Sequence, residues 1–499
     1  MEECDVLIVG GGINGVGIAR DAAGRGLRVI LAEQGDLGCG TSSASSKLIH
    51  GGLRYLEHLE FRLVAESLAE REILLRNVPH LVRPLRFLMP HARELRPAWM
   101  IRTGLLLYDR LARRQTLPSS GAVDLTTSPF GEGLSAEYKK GYIYSDCWVD
   151  DARLVIANSL AAAEAGAAIY PRTKCVAAER SGACWRARLA GERADTHVEA
   201  RALVNASGPF VTDFLVSVTG QASGSHVRLV QGSHIVVPRL YPGEHACILQ
   251  NDDRRVVFAY PYETHYTLVG TTDIEHRGAP GDCSVTQEEI AYLCRAVNRY
   301  FSRQVQPADV KWSYCGLRAL VDDGTDDPSK ITRDYLLRVE GEAHEAPLLS
   351  VFGGKITTYR RLAERALEKL RPWFPTIGGS WTADARLPGG ALVSTDVADY
   401  VASVARRYHG LPRSLIDALV RRHGSRAETV LDGAHGVEDL GVHFGADLYA
   451  REVDYFLTHE WARHPDDVLW RRTKAGLHLD AQQQVNLFRY VTSRVAEGL

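Results

Sequence analysis

The first thirty-odd residues permit few folds. Asp5 to Val9 is a short apolar run that predicts a buried strand, and Gly10, Gly11, Gly12, Ile13, Asn14 and Gly15 follow it directly. A helix is expected from there to about Gly24. A second apolar run, Val29 to Ala32, ends on an acid, Glu33. The glycines satisfy G-x-G-x-x-G, and each has a mechanical use. Gly10 permits a tight turn, Gly12 lets backbone approach a pyrophosphate, and Gly15 allows close helix-to-strand packing. A helix N-terminus offers free amides and partial positive charge to that anion, Asn14 lying in its first turn. Glu33 falls about 20 residues on, where a carboxylate on the second strand accepts from a ribose 2′-hydroxyl. Strand, glycines, helix, strand and acid in that order predict a dinucleotide site.

With 499 residues the chain exceeds one core, so two or three domains are expected. A formal net charge of −2 gives no global field for nucleic acid, and no basic, aromatic-interleaved stripe points to RNA. The nine cysteines are odd in number and scattered, with no C-x-x-C pair. That predicts reduced thiols in a cytoplasmic setting and no in-chain metal centre. The role of Cys39, beside the expected cofactor loop, is open. The chain enters its first strand without a basic, apolar leader, and no uncharged window reaches the roughly 18 residues a spanning helix needs.

After Glu33 comes a Gly- and Ser-rich stretch holding Thr41, Ser42, Ser43, Ser45, Ser46 and Lys47, then Leu48, Ile49, His50, Gly51, Gly52, Leu53, Arg54 and Tyr55. Its position after the second strand suggests that hydroxyls and amides here line a bound cofactor. A solvated connector is the alternative. Phe61 to Val78 predicts an amphipathic helix, and Pro79 to Pro97 a proline-broken, arginine-rich segment. Trp99 to Leu117 predicts a helix with apolar bulk and a fringe of Arg96, Arg102, Arg110, Arg113 and Arg114. It suits a membrane interface or a buried helix with a basic end equally.

A helix over Asp150 to Ala165 and strands at Ile169 to Glu179 (with Val176 counted among the cofactor residues), Trp185 to Leu189 and Ala202 to Asn205 follow. The last ends in Ala206, Ser207 and Gly208, small residues that let backbone pass a flat ligand. From His226 to Asp273 the pattern turns β-rich, with strands at Ser233 to Val237, Ala246 to Leu249, Val256 to Tyr260 and Tyr266 to Gly270. A helix at Thr286 to Phe301 and strands at Val310 to Ser313 and Arg333 to Val339 complete a mixed sheet inserted between halves of the nucleotide domain. Leu348 to Phe352, Gly353, Gly354, Lys355, Ile356 and Thr357 form a second strand–glycine–helix unit. Its helix N-terminus suits the negative charge of a reduced flavin, which favours FAD over NAD. Pro372 to Leu392 predicts a linker, and helices at Thr395 to His409, Ser414 to His423, Asp447 to Arg463 and Gln482 to Glu497 a small α-helical domain.

Arg54, Arg318, Arg333 and Lys355 fall in the regions argued to surround the ring. Clustered, they imply a small anionic substrate. His234, on a strand expected to face the ring, is the candidate base, with His50 the second candidate. Any of these residues alone also suits a structural role.

The stretch Thr41 to Glu57 resembles the hallmark of FAD-dependent glycerol-3-phosphate dehydrogenases of the aerobic, quinone-linked bacterial type. Tyr144 to Leu154, Gly232 to Pro238, Gly270 to Asp273, Ile331 to Tyr335 and Ser350 to Arg360 are similar to that family as well. The C-terminal part is similar in placement and weaker in detail. The resemblance implies an α/β fold: a glutathione-reductase-like, FAD-binding Rossmann domain, an inserted β-rich substrate-binding cap and an α-helical C-terminal domain. The oxidoreductase region is set at residues 1–390, with FAD-binding parts near 1–75, 145–215 and 340–372 and the cap mainly 76–144 and 216–339; the helical domain is 391–499. It implies oxidation of glycerol 3-phosphate to dihydroxyacetone phosphate, hydride passing to FAD and electrons to a membrane quinone, by an enzyme peripheral to the inner face of the cell membrane. An oxidase using oxygen, on this or another small anionic alcohol or amine, is the alternative. Within that implication Arg54, Tyr55 and Arg333 bind substrate, Arg54 and Arg333 at its phosphate. Arg318 polarises the C2 oxygen, His234 removes the proton and Lys355 serves the flavin N5 edge. Ala319 departs from the family pattern, where proline often follows the arginine. The oligomeric state, monomer or homodimer, stays open.

Overall fold

The computed structural model describes every residue except 93–95, 112–115, 193, 221–226, 254, 322–333, 343, 393–395 and 499. The apolar run at the start forms the strand Glu2–Val9, central in an eight-stranded sheet. Its parallel neighbours are Val29–Ala32 on one side and Asp195–Asn205 on the other, the latter flanked by Leu348–Phe352. Register aligns Val9 with Ala32 and Asn205, and Asn205 with Ser350. The carboxyl ends of strands far apart in sequence therefore reach one edge, where ligands bind in open α/β sheets.

Buried side chains cover both faces of this sheet. The helix Ile13–Gly24 packs on one face beside Asp151–Glu164 and Tyr359–Leu370. Gly17 makes room there for the Tyr359 ring, which a Cβ would approach to 2.8 Å. The strand expected over Ile169 to Glu179 is two, Ala168–Tyr170 and Thr173–Ser181, broken where Arg172 takes a φ of 51°.

A second, ten-stranded sheet forms the cap. It runs through Val227–Pro238, Tyr266–Gly270, Val256–Tyr262, Ala246–Gln250, Val82–His91 and Lys140–Val149 to the two-residue strand Leu48–Ile49, with Trp312–Val321 on the far side of Val227–Pro238. The proline-broken segment thus contains a long strand. Pro84 and Pro90 lie along its pairing with Lys140–Val149, while the opposite neighbour pairs only at Phe87 and Leu88. The missing N–H groups cost no ladder bonds on that open side. The strand expected at Val310 to Ser313 begins at Trp312 and runs to Val321. The helix expected over Trp99 to Leu117 forms as Ala98–Arg110, and Thr116 and Leu117 are not helical; Arg113 and Arg114 of its fringe lie outside the described residues.

The C-terminal residues form a helical unit with its own core. Helices Val397–Arg407, Arg413–His423, Ala450–His459 and Ala481–Ala496 are joined by one short turn and two longer connections, the last holding the π-helical Asp467–Arg472. The single helix expected from Asp447 is shorter, because Leu448–Tyr449 pairs with His443–Gly445 and Trp461 takes a left-handed φ of 56°. Buried charges join this unit to the cofactor sheet. Arg472 donates to Asp36 at 2.5 and 2.8 Å, Arg471 donates to the same carboxylate, and Arg153 pairs with Glu460.

Burial pushes the Asp36 carboxyl up, but Arg472 and Arg471 outweigh it and hold it below the usual range. The pairing is therefore whole above about pH 4 and fades as pH falls through the depressed value. Asp36→Asn leaves buried Arg472 with only Glu460, at 4.0 Å, as a charge partner among the described residues, and should cost about 3 kcal/mol in denaturant unfolding at neutral pH. Wild-type stability in that variant would remove the cluster from the account of domain docking.

Candidate active site

At the shared edge of the cofactor sheet, and between it and the cap, lies one cavity of about 1490 Å³. Its floor begins at the glycine turn. Gly10 has a φ of +112°, and a Cβ there would sit 2.4 Å from the Ala206 carbonyl oxygen. A Cβ on Gly15 would sit 1.9 Å from the Gly10 oxygen, so these two glycines are required by the protein's own packing. Gly12 differs: a Cβ there would meet only Ser42 Oγ, at 3.1 Å. Its lack of a side chain keeps open the cavity space next to the helix N-terminus.

Ile13 N donates to Ser42 Oγ at 2.9 Å, tying the helix start to the Ser-rich loop. Asn14 Nδ2 donates to the Gly353 carbonyl at 3.2 Å, tying it to the second glycine unit. Asn14 Oδ1 is buried with no partner among the described residues and belongs to the cavity lining. Glu33 also lines the cavity; it accepts from Gly11 N at 2.6 Å and Gly35 N at 2.8 Å, and burial raises its pKa against those two bonds. Ser207 and Gly208 line it next to Asn205, whose Oδ1 accepts from Ser207 Oγ.

Of the expected cofactor residues, Thr41, Ser42, Ser43, Ser45, His50, Gly353, Gly354, Lys355 and Thr357 line the cavity. Lys47 and Val176 do not. Lys47 turns inward, donating to Asp151 Oδ1 at 2.7 Å and to the Ser43 carbonyl at 3.0 Å. Thr173, Lys174 and Cys175 line the cavity instead of Val176.

The cap supplies His234 and Arg318 to the cavity wall. His234 lies opposite Gly270 on one neighbouring strand and Tyr314 on the other. Its ring stacks on Tyr314, centroids 4.8 Å apart at 13°, and Nε2 is 2.9 Å from Ser46 Oγ. A Cβ on Gly270 would come within 2.0 Å of the imidazole, and one on Gly232 within 2.5 Å of the Arg318 guanidinium. The two glycines are seats for those side chains. Burial, then Arg318 and Lys47, push the His234 pKa well below 6.5, so the ring is neutral at pH 7. His50 is likewise held neutral, at about 4, by burial and then Lys355 and Arg71.

Arg318 donates to Asp273 at 2.5 Å and to Thr271 Oγ1 at 3.1 Å, and Arg54 lies 4.0 Å from the same Asp273. Lys355 Nζ sits 3.7 Å over the Tyr55 ring. The structure thus brings together Arg54, Tyr55, His234, Arg318 and Lys355; Arg333 lies outside the described residues. Sequence reasoning gave no role to Asp273 or Tyr314, and took Ser46 only as one of the loop's hydroxyls; all three line this space, and Asp273 ends a motif it singled out. It also missed Glu289, a buried carboxylate that accepts from Ser233 Oγ and Thr272 Oγ1 beneath the site. The expectation of reduced thiols throughout is corrected: Cys283 and Cys315 are bonded, because folding brings the loop after Ile274–Glu275 against the strand Trp312–Val321.

An open glycine cradle at a helix N-terminus, an acid on the second strand and a second glycine unit converging on one cavity define a dinucleotide-cofactor oxidoreductase. Residues 5–360 match the FAD dependent oxidoreductase family, and residues 380–499 the C-terminal domain of alpha-glycerophosphate oxidase. The chain is 54% identical over 495 residues to the glycerol-3-phosphate dehydrogenase of Pseudomonas aeruginosa, covering 99% of this chain and 96% of that protein. It is 49% identical over 480 residues to the D-erythritol 1-phosphate dehydrogenase of Brucella abortus, covering 96% and 95%. The FAD complex of the Bacillus halodurans glycerol-3-phosphate dehydrogenase superposes with a TM-score of 0.77 at 26% identity, covering 99% of this chain and 90% of that one. The chain belongs to the FAD-dependent glycerol-3-phosphate dehydrogenase family, and its cofactor is FAD.

The glycines make separable predictions. Gly12→Ala should fold with wild-type circular dichroism yet purify with less than about a tenth of the wild-type flavin absorbance, because its Cβ enters space that a pyrophosphate would occupy. Gly15→Ala, which strikes backbone, should be lost at the folding step.

Proposed function

We propose that this chain oxidises sn-glycerol 3-phosphate at C2 to dihydroxyacetone phosphate and delivers the electrons to a membrane quinone. The observation carrying this reading is the cluster of Arg54, Arg318 and Lys355 around a buried, neutral His234 in the cavity that holds the glycine cradle. FAD supplies the hydride acceptor and the route by which electrons leave.

The protein's own groups have distinct tasks. Arg54 and Arg333 bind the phosphate, Arg318 polarises the C2 oxygen and Lys355 serves the flavin edge, the guanidinium forks suiting a phosphate better than an ammonium. We assign the His234 tautomer with Nε2–H donating to Ser46 Oγ. Nδ1, which has no partner among the described residues, is then the bare nitrogen that takes the hydroxyl proton. A dianionic phosphate offsets the field of Arg318 and makes that nitrogen more basic when substrate is present.

The cavity mouth supports the acceptor. Phe61, Trp99 and Leu107 line it from two helices that each pack on the turn Leu53–His58. Leu59 is 72% exposed, Trp99 69% and Leu106 52%, with Arg102 and Arg110 exposed on the same helix. An apolar rim with a basic fringe suits a peripheral seat on the inner face of the cell membrane, where a lipid-confined quinone reaches the mouth. No helix of the described residues is long and apolar enough to cross a membrane.

Anaerobic addition of glycerol 3-phosphate should bleach the yellow flavin within turnover time, and His234→Gln should slow bleaching about 10²–10⁴-fold with little change in the concentration that half-saturates it. A flavin that stays yellow in the wild type refutes the substrate. Reoxidation faster with soluble quinone than with air marks a dehydrogenase; the reverse marks an oxidase. A four-carbon polyol phosphate is the second reading, motivated by the Brucella relative, and faster bleaching by D-erythritol 1-phosphate would select it. For the membrane seat, Leu59→Ser combined with Leu106→Ser should cut co-sedimentation with anionic liposomes about tenfold, since each buries apolar area in the interface. Undiminished co-sedimentation would remove the rim from the account.

A further inference from the structure

The C-terminal unit reaches the reaction centre through a row of aromatic rings. Trp470, in the turn Asp467–Arg472, stacks on Trp312 of the cap, centroids 4.7 Å apart at 20°. Trp312 lies 4.8 Å from Tyr314, and Tyr314 lies 4.8 Å from His234. Strand geometry explains the alignment. Tyr314 and Trp312 are two residues apart and so share a face, and their register partners are His234 and Val236 on the neighbouring strand. Tyr314 OH donates to the Ser45 carbonyl at 3.0 Å, so the row also backs onto the loop whose Ser46 bonds His234.

Both ends of the row are held. Arg471 and Arg472 follow Trp470 directly and pair with Asp36 of the cofactor domain, while Arg471 also pairs with Asp467. The Trp470 ring also lies close to Gly476, where a Cβ would come within 2.4 Å of the indole. Trp470, Trp312, Tyr314 and His234 all line the same cavity, so the row runs along its wall from the C-terminal unit to the imidazole.

We propose that Trp470, supplied by the C-terminal domain, is a positioning residue of the active site that fixes His234 through the stack Trp470–Trp312–Tyr314–His234. The consequence for turnover rests on the reading of His234 as the base; the consequence for the ring does not. The first and last contacts are face to face and the middle one is tilted at 40°, so each ring limits the room of the next, and the last holds the imidazole against Ser46. Burial is the largest cause of the imidazole's depressed basicity, and a Tyr314 ring loosened by loss of its neighbours would admit water to the face it covers. The groups facing His234 are Arg318 and Tyr314 from the adjacent strand and Lys47 and Ser46 from the loop. Asp273 and Asp151 neutralise Arg318 and Lys47. Trp470 carries no charge, so its removal acts through water and ring freedom.

The test uses full-length holoenzyme labelled at histidine ring carbons, with His234 assigned from the His234→Gln spectrum. Wild-type His234 should stay neutral well below the ordinary value near 6.5. In Trp470→Ala its titration should move up by at least about one pH unit, one unit being a tenfold change in proton affinity. kcat should fall about tenfold with KM and flavin content unchanged. Trp470→Phe, which keeps a ring, should restore both, and Gly476→Ala, which displaces the indole, should reproduce the loss. Should the alanine variant lose flavin or fold, Trp470→Leu keeps apolar bulk without a face and takes its place. An unmoved titration overturns the proposal. A titration that moves while kcat does not leaves the stack standing and instead sinks the assignment of His234 as base.

Discussion

The buried ion pair between Lys47 and Asp151 ties down the crossing from the cofactor sheet to the cap sheet. The loop from Thr41 to Lys47 leaves the cofactor sheet and becomes the strand Leu48–Ile49 of the cap sheet within a few residues. Lys47 closes that crossing by bonding Asp151 at the start of a helix in the cofactor domain, both side chains being essentially without solvent exposure. Ser45 bonds the other oxygen of the same carboxylate through N and Oγ. Such a pair is costly to break, because either partner alone would be an uncompensated buried charge. The loop is thereby fixed where its hydroxyls meet the first helix through Ser42 and the candidate base through Ser46.

Empty space is built as deliberately as contact. Gly10 and Gly15 serve the turn and the helix, whereas Gly232 and Gly270 make room for Arg318 and His234 on one face of the cap. Asp273 then sets the Arg318 guanidinium with Arg54 close by. The basic groups are ordered by the protein before any anion arrives. Such preorganisation lowers the reorganisation required for binding and reaction.

The charges around Asp36 and the ring of Trp470 give the helical C-terminal unit a place in the site as well as a docking surface. Asp36 follows the acid-bearing end of the second strand closely, so the residues that seat the C-terminal unit adjoin those that frame the cofactor.

The sequence by itself determined the nucleotide fold, the FAD assignment through its second glycine unit, and the order of domains, because these rest on local patterns: apolar runs, turn glycines and helical periodicity. It also pointed to Arg54, Tyr55, His234, Arg318 and Lys355, whose flanking residues form recognisable strings. Only the tertiary structure decided which of these meet and how. Lys47 reads like its cavity-lining neighbours yet turns to Asp151; Glu289 looks like an ordinary first-turn helix carboxylate yet supports Ser233 and Thr272. Cys283 and Cys315 have no spacing signature, and Trp470 lies in a different domain from the histidine it supports. The physical reason is common to all four. Their partners are brought near by strand register and domain docking, long-range contacts that leave no local pattern in the chain.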